Sequence, residues 1–281
     1  MVRIQLPAPA LQPFVRFYAH VDERVGTLPI VQPIAARWSH VIEFTFGTPY
    51  QVQRADVVRA AKAHSVVVVG AQTYRRVLLK MQGHVVTFVV AFQPGGFFRL
   101  FSMPVDALTN QDLDGVAVLG NSMDELRARL GDSMSFAERV GVADGYLLRR
   151  LHGRRFATGV SAAAAELLRC RGSLPVAELA ERSGLSVRQL ERRFVVEIGL
   201  TPKLFARVAR YEGALQRKRQ SPETRWTDVA HELGYHDQPH MVRDFLELSG
   251  STPSDVAHDI VMQAEHELDS TDSLQLSPAT S

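Results

Sequence analysis

Six side chains in two short stretches stand out by type and spacing. Arg188, Glu191 and Arg192 lie three and four residues apart, and Gln238, His240 and Arg243 follow in a second stretch. On a helix, residues three and four apart share a face. The first stretch and the pair His240–Arg243 meet that spacing, Gln238 and His240 do not, and outward side chains of these types can read base edges: Arg donates two hydrogen bonds to guanine, Gln pairs with adenine, and Glu accepts from cytosine. Glu191 could also orient Arg192. Lys203 and Arg207 lie between the stretches and are candidate phosphate contacts, as are Ser186 and Asp237 just ahead of the two rows.

The elements that must hold these side chains occur twice. Leu179-Ala180 recurs as Val229-Ala230, and Gly184-Leu185 as Gly234-Tyr235, at an offset of 50. Arg192 recurs as Arg243, Phe194 as Phe245, and Gly199-Leu200-Thr201-Pro202 as Gly250-Ser251-Thr252-Pro253, at 51. Each copy reads as a short helix, a glycine suited to the left-handed position that ends it, and a capped second helix. In the first copy Val176, Leu179 and Ala180 form an apolar stripe, Ser186 and Gln189 make a capping box, and Val187, Leu190 and Phe194 point inward. In the second, Trp226, Val229, Ala230 and Leu233 form the stripe, Asp237 caps, and Met241, Phe245 and Leu248 point inward. This is the pattern of a helix-turn-helix, whose second helix fits the DNA major groove. A plain helical hairpin would explain one copy but not two with Arg at equivalent outward positions.

The connector is predicted to be one long helix. Thr201 caps it, Pro202 takes the first helical position, and Leu204, Val208, Tyr211 and Leu215 carry a stripe to about Gln220. A rigid spacer can set two reading helices in successive grooves, about 34 Å apart.

From Leu179 to Phe194, through Gly199–Pro202, and over Gly-Tyr-His-Asp-Gln-Pro-His-Met-Val-Arg-Asp-Phe at 234–245, the sequence resembles the AraC/XylS family of bacterial transcription regulators. The resemblance covers about residues 162–260. It implies two helix-turn-helix units on adjacent major grooves, with base contacts at Arg188, Glu191, Arg192, Gln238, His240 and Arg243. Pro239 stands where Ser is common in the family, which removes a hydroxyl and an amide from that contact. Met241 stands where Phe is common. A weaker likeness through Val69–Gln72 and Phe92–Gly96 implies a sensing or dimerising N-terminal domain.

That N-terminal half reads as strands and then helices. The runs 38–47, 66–69, 74–81 and 85–92 are β-branched or aromatic and end at Gly or Pro. Met123–Leu130 and Ser135–Leu151 have helical spacing and could cover the strands or pair with a second chain. The polar stretch His152–Arg155 suggests a boundary. The fold class expected is α+β. A β-rich, barrel- or sandwich-like domain with following helices spans 1–158. An all-α domain of two helix-turn-helix units joined by a long helix spans 159–262. A disordered acidic tail spans 263–281.

The net charge of +2 conceals this division: it is +6 over 1–159, zero over 160–262 and −4 over the tail. The balanced middle argues against non-specific packaging of DNA, which needs dense cationic surface. A rival reading is a small-molecule-binding or catalytic barrel with a metal held by His20, His40, His64 and His84. No His-x-His pair or carboxylate at ligand spacing supports it. The lone Cys170 excludes an internal disulfide and fits a small buried apolar residue in a reducing, cytoplasmic setting. No apolar run approaches a membrane span, and Met1–Pro7 has no secretory h-region. The expectation is a sequence-specific DNA-binding regulator and not an enzyme, with no cofactor and no metal. Its partners are double-stranded operator DNA, RNA polymerase, an unidentified small-molecule effector and a second copy through 121–153.

Overall fold

A computed structural model of the chain describes residues 1–54, 61–73, 77–151 and 158–256. The basic stretch at the expected boundary (152–155), the start of the expected 74–81 strand and the acidic tail lie outside the described residues. The chain opens with β1 (Val2–Gln5), β2 (Val15–Ile34), β3 (Val41–Thr45), β4 (Gln51–Arg54), β5 (Ala61–Lys62), β6 (Val66–Val69) and β7 (Val77–Phe92). Helix α1 (Gly96–Phe101) and strand β8 (Asp112–Asp114) follow, then α2 (Gly115–Leu119), α3 (Ser122–Asp132) and α4 (Phe136–Arg150).

The strands form one antiparallel sheet in the order β1-β2-β7-β3-β6-β8, with β4 pairing both β5 and the outer half of β7. Two of the expected strands are one. Gly83 reads as a stop, but β7 runs through it at φ +74°, and the pairing with β2 slips between Val25 and Ile30 at that point. The extra residues, from Gly26 to Pro29, are on β2 opposite Gln82, and the left-handed Gly83 lets β7 bend past that bulge instead of ending. The bent inner face carries Tyr18, Phe44, Phe88 and Phe92, all fully buried.

Helices α3 and α4 close this core. Their stripes, Met123, Leu126 and Leu130 with Val140, Ala143 and Leu147, are buried against the sheet. The Tyr18 hydroxyl donates to Asp144 on α4 at 2.7 Å. Of the two uses that the apolar spacing left open, these residues serve the first, covering the strands.

The C-terminal half is helical: α5 (Gly159–Arg169), α6 (Val176–Arg182), α7 (Val187–Ile198), α8 (Pro202–Gln220), α9 (Trp226–Glu232) and α10 (Gln238–Ser249). Its core joins Leu179, Leu190, Phe194, Phe205, Tyr211 and Phe245, and it takes in Ala36, Trp38 and Ala71 from the sheet half. Trp38, expected at the start of a strand, instead lies before β3 and packs on Phe205 of α8, ring centres 5.8 Å apart.

Candidate nucleic-acid interface

The first unit is α6, a turn and α7. Gly184 adopts φ +64° and reverses the chain after α6. Ser186 accepts from the Gln189 amide at 3.3 Å, and the Gln189 side chain accepts from the Ser186 amide at 3.0 Å. This capping box fixes where the reading helix starts; such a cap contributes about 1 kcal/mol. Leu190, Phe194 and Ile198 are buried, which turns Arg188, Glu191 and Arg192 to solvent on the opposite face. None of these three makes a hydrogen bond or ion pair with another described residue. Val187 departs from expectation: standing at the helix start, beyond the packed stripe, it is 41% exposed. Arg193, on the flank, is tied to the buried Glu197 at 2.8 Å.

The second unit repeats the construction with α9 and α10. Gly234 is left-handed at φ +69°, and the Asp237 carboxylate accepts from the His240 amide at 2.7 Å. That bond, with His236 beside it, holds the Asp237 carboxyl below its usual range. Met241, Phe245 and Leu248 are buried, while Gln238 and Arg243 are exposed. His240 is half-buried, its ring edge-on to Tyr235 at 5.5 Å. Pro239 occupies the first turn of α10, where a missing amide is tolerated.

The expected phosphate contacts divide. Lys203 is exposed at the start of α8 and lines one groove of about 650 Å³ with His240 and Arg243 of α10. Arg207 is spoken for: its Nε donates to Asp244 at 2.9 Å, and its guanidinium also pairs with Glu247. Asp244 is the group the sequence reading missed. It is 2% exposed, and it follows Met241 by three residues and precedes Leu248 by four, a position on the inward stripe that could have exposed it. Ser186 and Asp237 spend their side-chain oxygens on caps. A carboxylate has no proton to give a phosphate, so Asp237 cannot donate to one through its side chain. Further along α8, Lys218 is buried, donates to the Thr224 carbonyl at 2.8 Å and lies over Trp226.

The four histidines of the sheet half do not converge. His84 pairs with Asp22 at 2.7 Å, His64 faces Asp114 at 3.7 Å, and His20 meets the Thr87 carbonyl at 3.0 Å. No group of three or more metal-binding side chains occurs among the described residues. His40 is 5% exposed with Nε2 unpartnered, and burial together with the nearby Arg37 charge pushes its pKa down to about 4. The unfolded chain takes up this proton near pH 6.5 and the folded chain does not, so stability falls as pH drops through that window. Urea unfolding is expected to show a loss of about 2 kcal/mol from this group between pH 7 and pH 5. His40→Gln should flatten that part of the profile, and an equally steep profile in the variant would exclude His40 as its source. Cys170 is half-buried rather than buried, with Sγ 3.7 Å from Glu166. A cavity of about 100 Å³ in the sheet half is lined by Arg37, Glu43, Tyr50, His64, Gln72 and Asp112 among others. Burial raises the Glu43 carboxyl, and Arg37 Nε has no partner.

Comparison with known proteins places both halves. A helix-turn-helix domain model matches residues 179–259, and the model of a domain of unknown function (DUF6597) matches residues 3–114. No curated protein matches the chain. Among solved structures, ToxT from Vibrio cholerae O395 bound to (E)-4-(8-methylnaphthalen-1-yl)but-3-enoic acid superposes with a TM-score of 0.50 at 8% identity, over 86% of this chain and 99% of that one. Unsaturated fatty acid bound ToxT from Vibrio cholerae strain SCE256 gives 0.47 at 10% identity, over 85% and 94%. The transcriptional regulator CdpR from Pseudomonas aeruginosa gives 0.32 at 20% identity, over 63% and 47%. At 8% identity, the likeness to the ToxT structure at 0.50 is one of fold alone. No helix of the described residues is long and apolar enough to cross a membrane.

Proposed function

Because the chain belongs to the AraC/XylS family of DNA-binding transcription regulators, we propose that it reads one operator with both of its units. Helices α7 and α10 enter successive major grooves on one face of the duplex, about 34 Å apart. The observation that carries this reading is the duplication of a capped helix with an outward, unpaired arginine at the equivalent position, Arg192 and Arg243. Arg188 and Arg192 donate to guanine, Glu191 accepts from cytosine, Gln238 reads adenine, and His240 has the first-turn place beside it. Lys203 sets the register on phosphate. Arg207, Ser186 and Asp237 hold the reading surface in shape instead. Residues 159–262 are thus the DNA-reading domain and residues 1–158 the sensing one.

Selection of bound duplexes from a random pool, followed by gel-shift titration, tests this. A selected site should bind at least about 1,000-fold more tightly than random DNA. Equal affinity would return the protein to non-specific binding. Lys203→Ala should weaken every sequence alike and lower the slope of log affinity against log salt by about 1.

Modulation by an effector is the second part of the proposal. Solved ToxT structures hold a fatty acid and a naphthalenyl butenoic acid. The cavity around Arg37 is well below the roughly 300–1,000 Å³ of ordinary small-molecule sites, so ligands of that size require its walls to move. Calorimetry against candidate effectors reads this directly. RNA polymerase is the partner a promoter-bound regulator would meet. Pairing through 121–153 would have to use the charged outer face of α3 and α4, and light scattering of the full chain decides it.

A further inference from the structure

The two reading helices end against the same body. A helix leaves its last carbonyls without intrahelical partners. In α7 the Val196 carbonyl accepts from the Val105 amide at 3.0 Å, and the Thr109 hydroxyl donates to the Gly199 carbonyl just past the helix at 2.6 Å. In α10 the Leu248 carbonyl accepts from the Ala36 amide at 2.9 Å. All three donors belong to the sheet half. Between these points Trp38 inserts against Phe205 of the connecting helix, and its amide donates to Glu212 of α8 at 3.4 Å. Glu212 is half-buried, in the field of Arg16 and Arg37 from the sheet half, and burial raises its carboxyl. The base-reading side chains occupy the other ends of α7 and α10, so this contact leaves them open.

We propose that the sheet half is a brace. By capping the C-terminal end of each reading helix and wedging Trp38 onto the connector, it fixes the setting of the two helices relative to one another. Docking thereby determines which half-site separation the protein accepts. The positioning residues are Trp38, Thr109 and Glu212. The inference rests on the two-groove reading above and goes beyond it: α8 alone, as a rigid spacer, is not sufficient to set the separation.

The test uses the full chain on its selected operator and on duplexes with the half-site separation changed by one or two base pairs. One base pair rotates the second half-site by about a tenth of a turn. The wild-type chain should lose about tenfold or more in affinity on these duplexes. Two variants open the brace: Trp38→Ala with Thr109→Ala, and separately Glu212→Lys, which sets a cation against Arg16 and Arg37. Small-angle scattering reads opening as a larger radius of gyration, and circular dichroism shows that the helices persist. Open variants should bind all separations within about threefold of one another, while single half-sites bind as in wild type. Open variants that keep the tenfold preference overturn the proposal and leave α8 as the sole ruler. So does a wild-type chain that prefers its operator but ignores separation. Two variants that both stay closed would show that these residues do not hold the brace. Failure of the underlying reading looks different: the wild-type chain would not distinguish operator from random DNA.

Discussion

Replacing Arg192 and Arg243 together by alanine is expected to weaken operator binding by about 2–6 kcal/mol, or from about 30-fold to beyond 10,000-fold. The two positions lie 51 residues apart in sequence and are equivalent in the duplicated unit. Both are exposed, on a face opposite the buried stripes Leu190–Phe194 and Met241–Phe245. Neither guanidinium makes a hydrogen bond or ion pair with a described residue, and Arg243 lies only in the field of Asp237 and Glu247, so each can turn its fork to a base edge. The same freedom makes the experiment readable. Exposed substitutions that touch no packed group shift stability by only about 0.5 kcal/mol, so lost affinity is lost recognition.

Charge and recognition separate with one further pair of variants. Lysine keeps the charge and loses the fork that matches two acceptors on guanine. Arg192→Lys with Arg243→Lys should therefore recover affinity for random duplex but not preference for the operator. If the double alanine variant kept both affinity and sequence preference, α7 and α10 would not be the reading helices.

The DNA-reading half was legible because its signals are local and doubled. Left-handed glycines at 184 and 234, the Ser186–Gln189 box, Thr201-Pro202 at the start of α8 and the i, i+3, i+4 stripes each act within one helical turn. The sheet half offered fewer such signals. Strand β2 carries Asp22, Glu23, Arg24, Gly26, Pro29 and Pro33, and much of its outer half faces solvent, so no alternation marks it as a strand. It exists because β7 pairs with it over most of its length. That is a long-range cause which no window of sequence contains. Gly83 misled for the related reason that a bend within a strand and a turn can ask for the same left-handed residue. The brace was invisible for the same cause: Trp38 and Glu212 meet across 174 residues. Only the place of Glu212, four residues after the buried Val208, hinted that this carboxylate faces inward.

Asp244→Ala is expected to destabilise the second unit by about 1–3 kcal/mol, since it removes a buried acceptor from Arg207 and takes the nearby carboxylate, 3.9 Å away, from Arg210. The Asp244 side chain is 3% exposed, and the two arginines against it, Arg207 and Arg210, are 26% and 15% exposed. Arg207 retains Glu247 after the substitution, but Arg210 is left with the Gly172 carbonyl at 2.9 Å and the ring of Tyr235. The Arg210–Gly172 bond reaches from the connector to the turn between α5 and α6, so the network ties the second reading helix to the first unit through α8. Urea unfolding followed by circular dichroism measures the loss, with Asp244→Asn as a control that keeps shape and one acceptor and should cost less. A change within about 0.5 kcal/mol would make the network a bystander. The same geometry separates two basic residues that look alike in sequence. Arg207→Ala should leave the salt dependence of DNA binding near that of wild type, because Asp244 and Glu247 already neutralise it. Lys203→Ala, one turn earlier and unpaired, should lower that slope by about 1. If the two variants changed it equally, Arg207 would exchange its carboxylates for phosphate on binding, and the rigidity of this joint would be a property of the free protein alone.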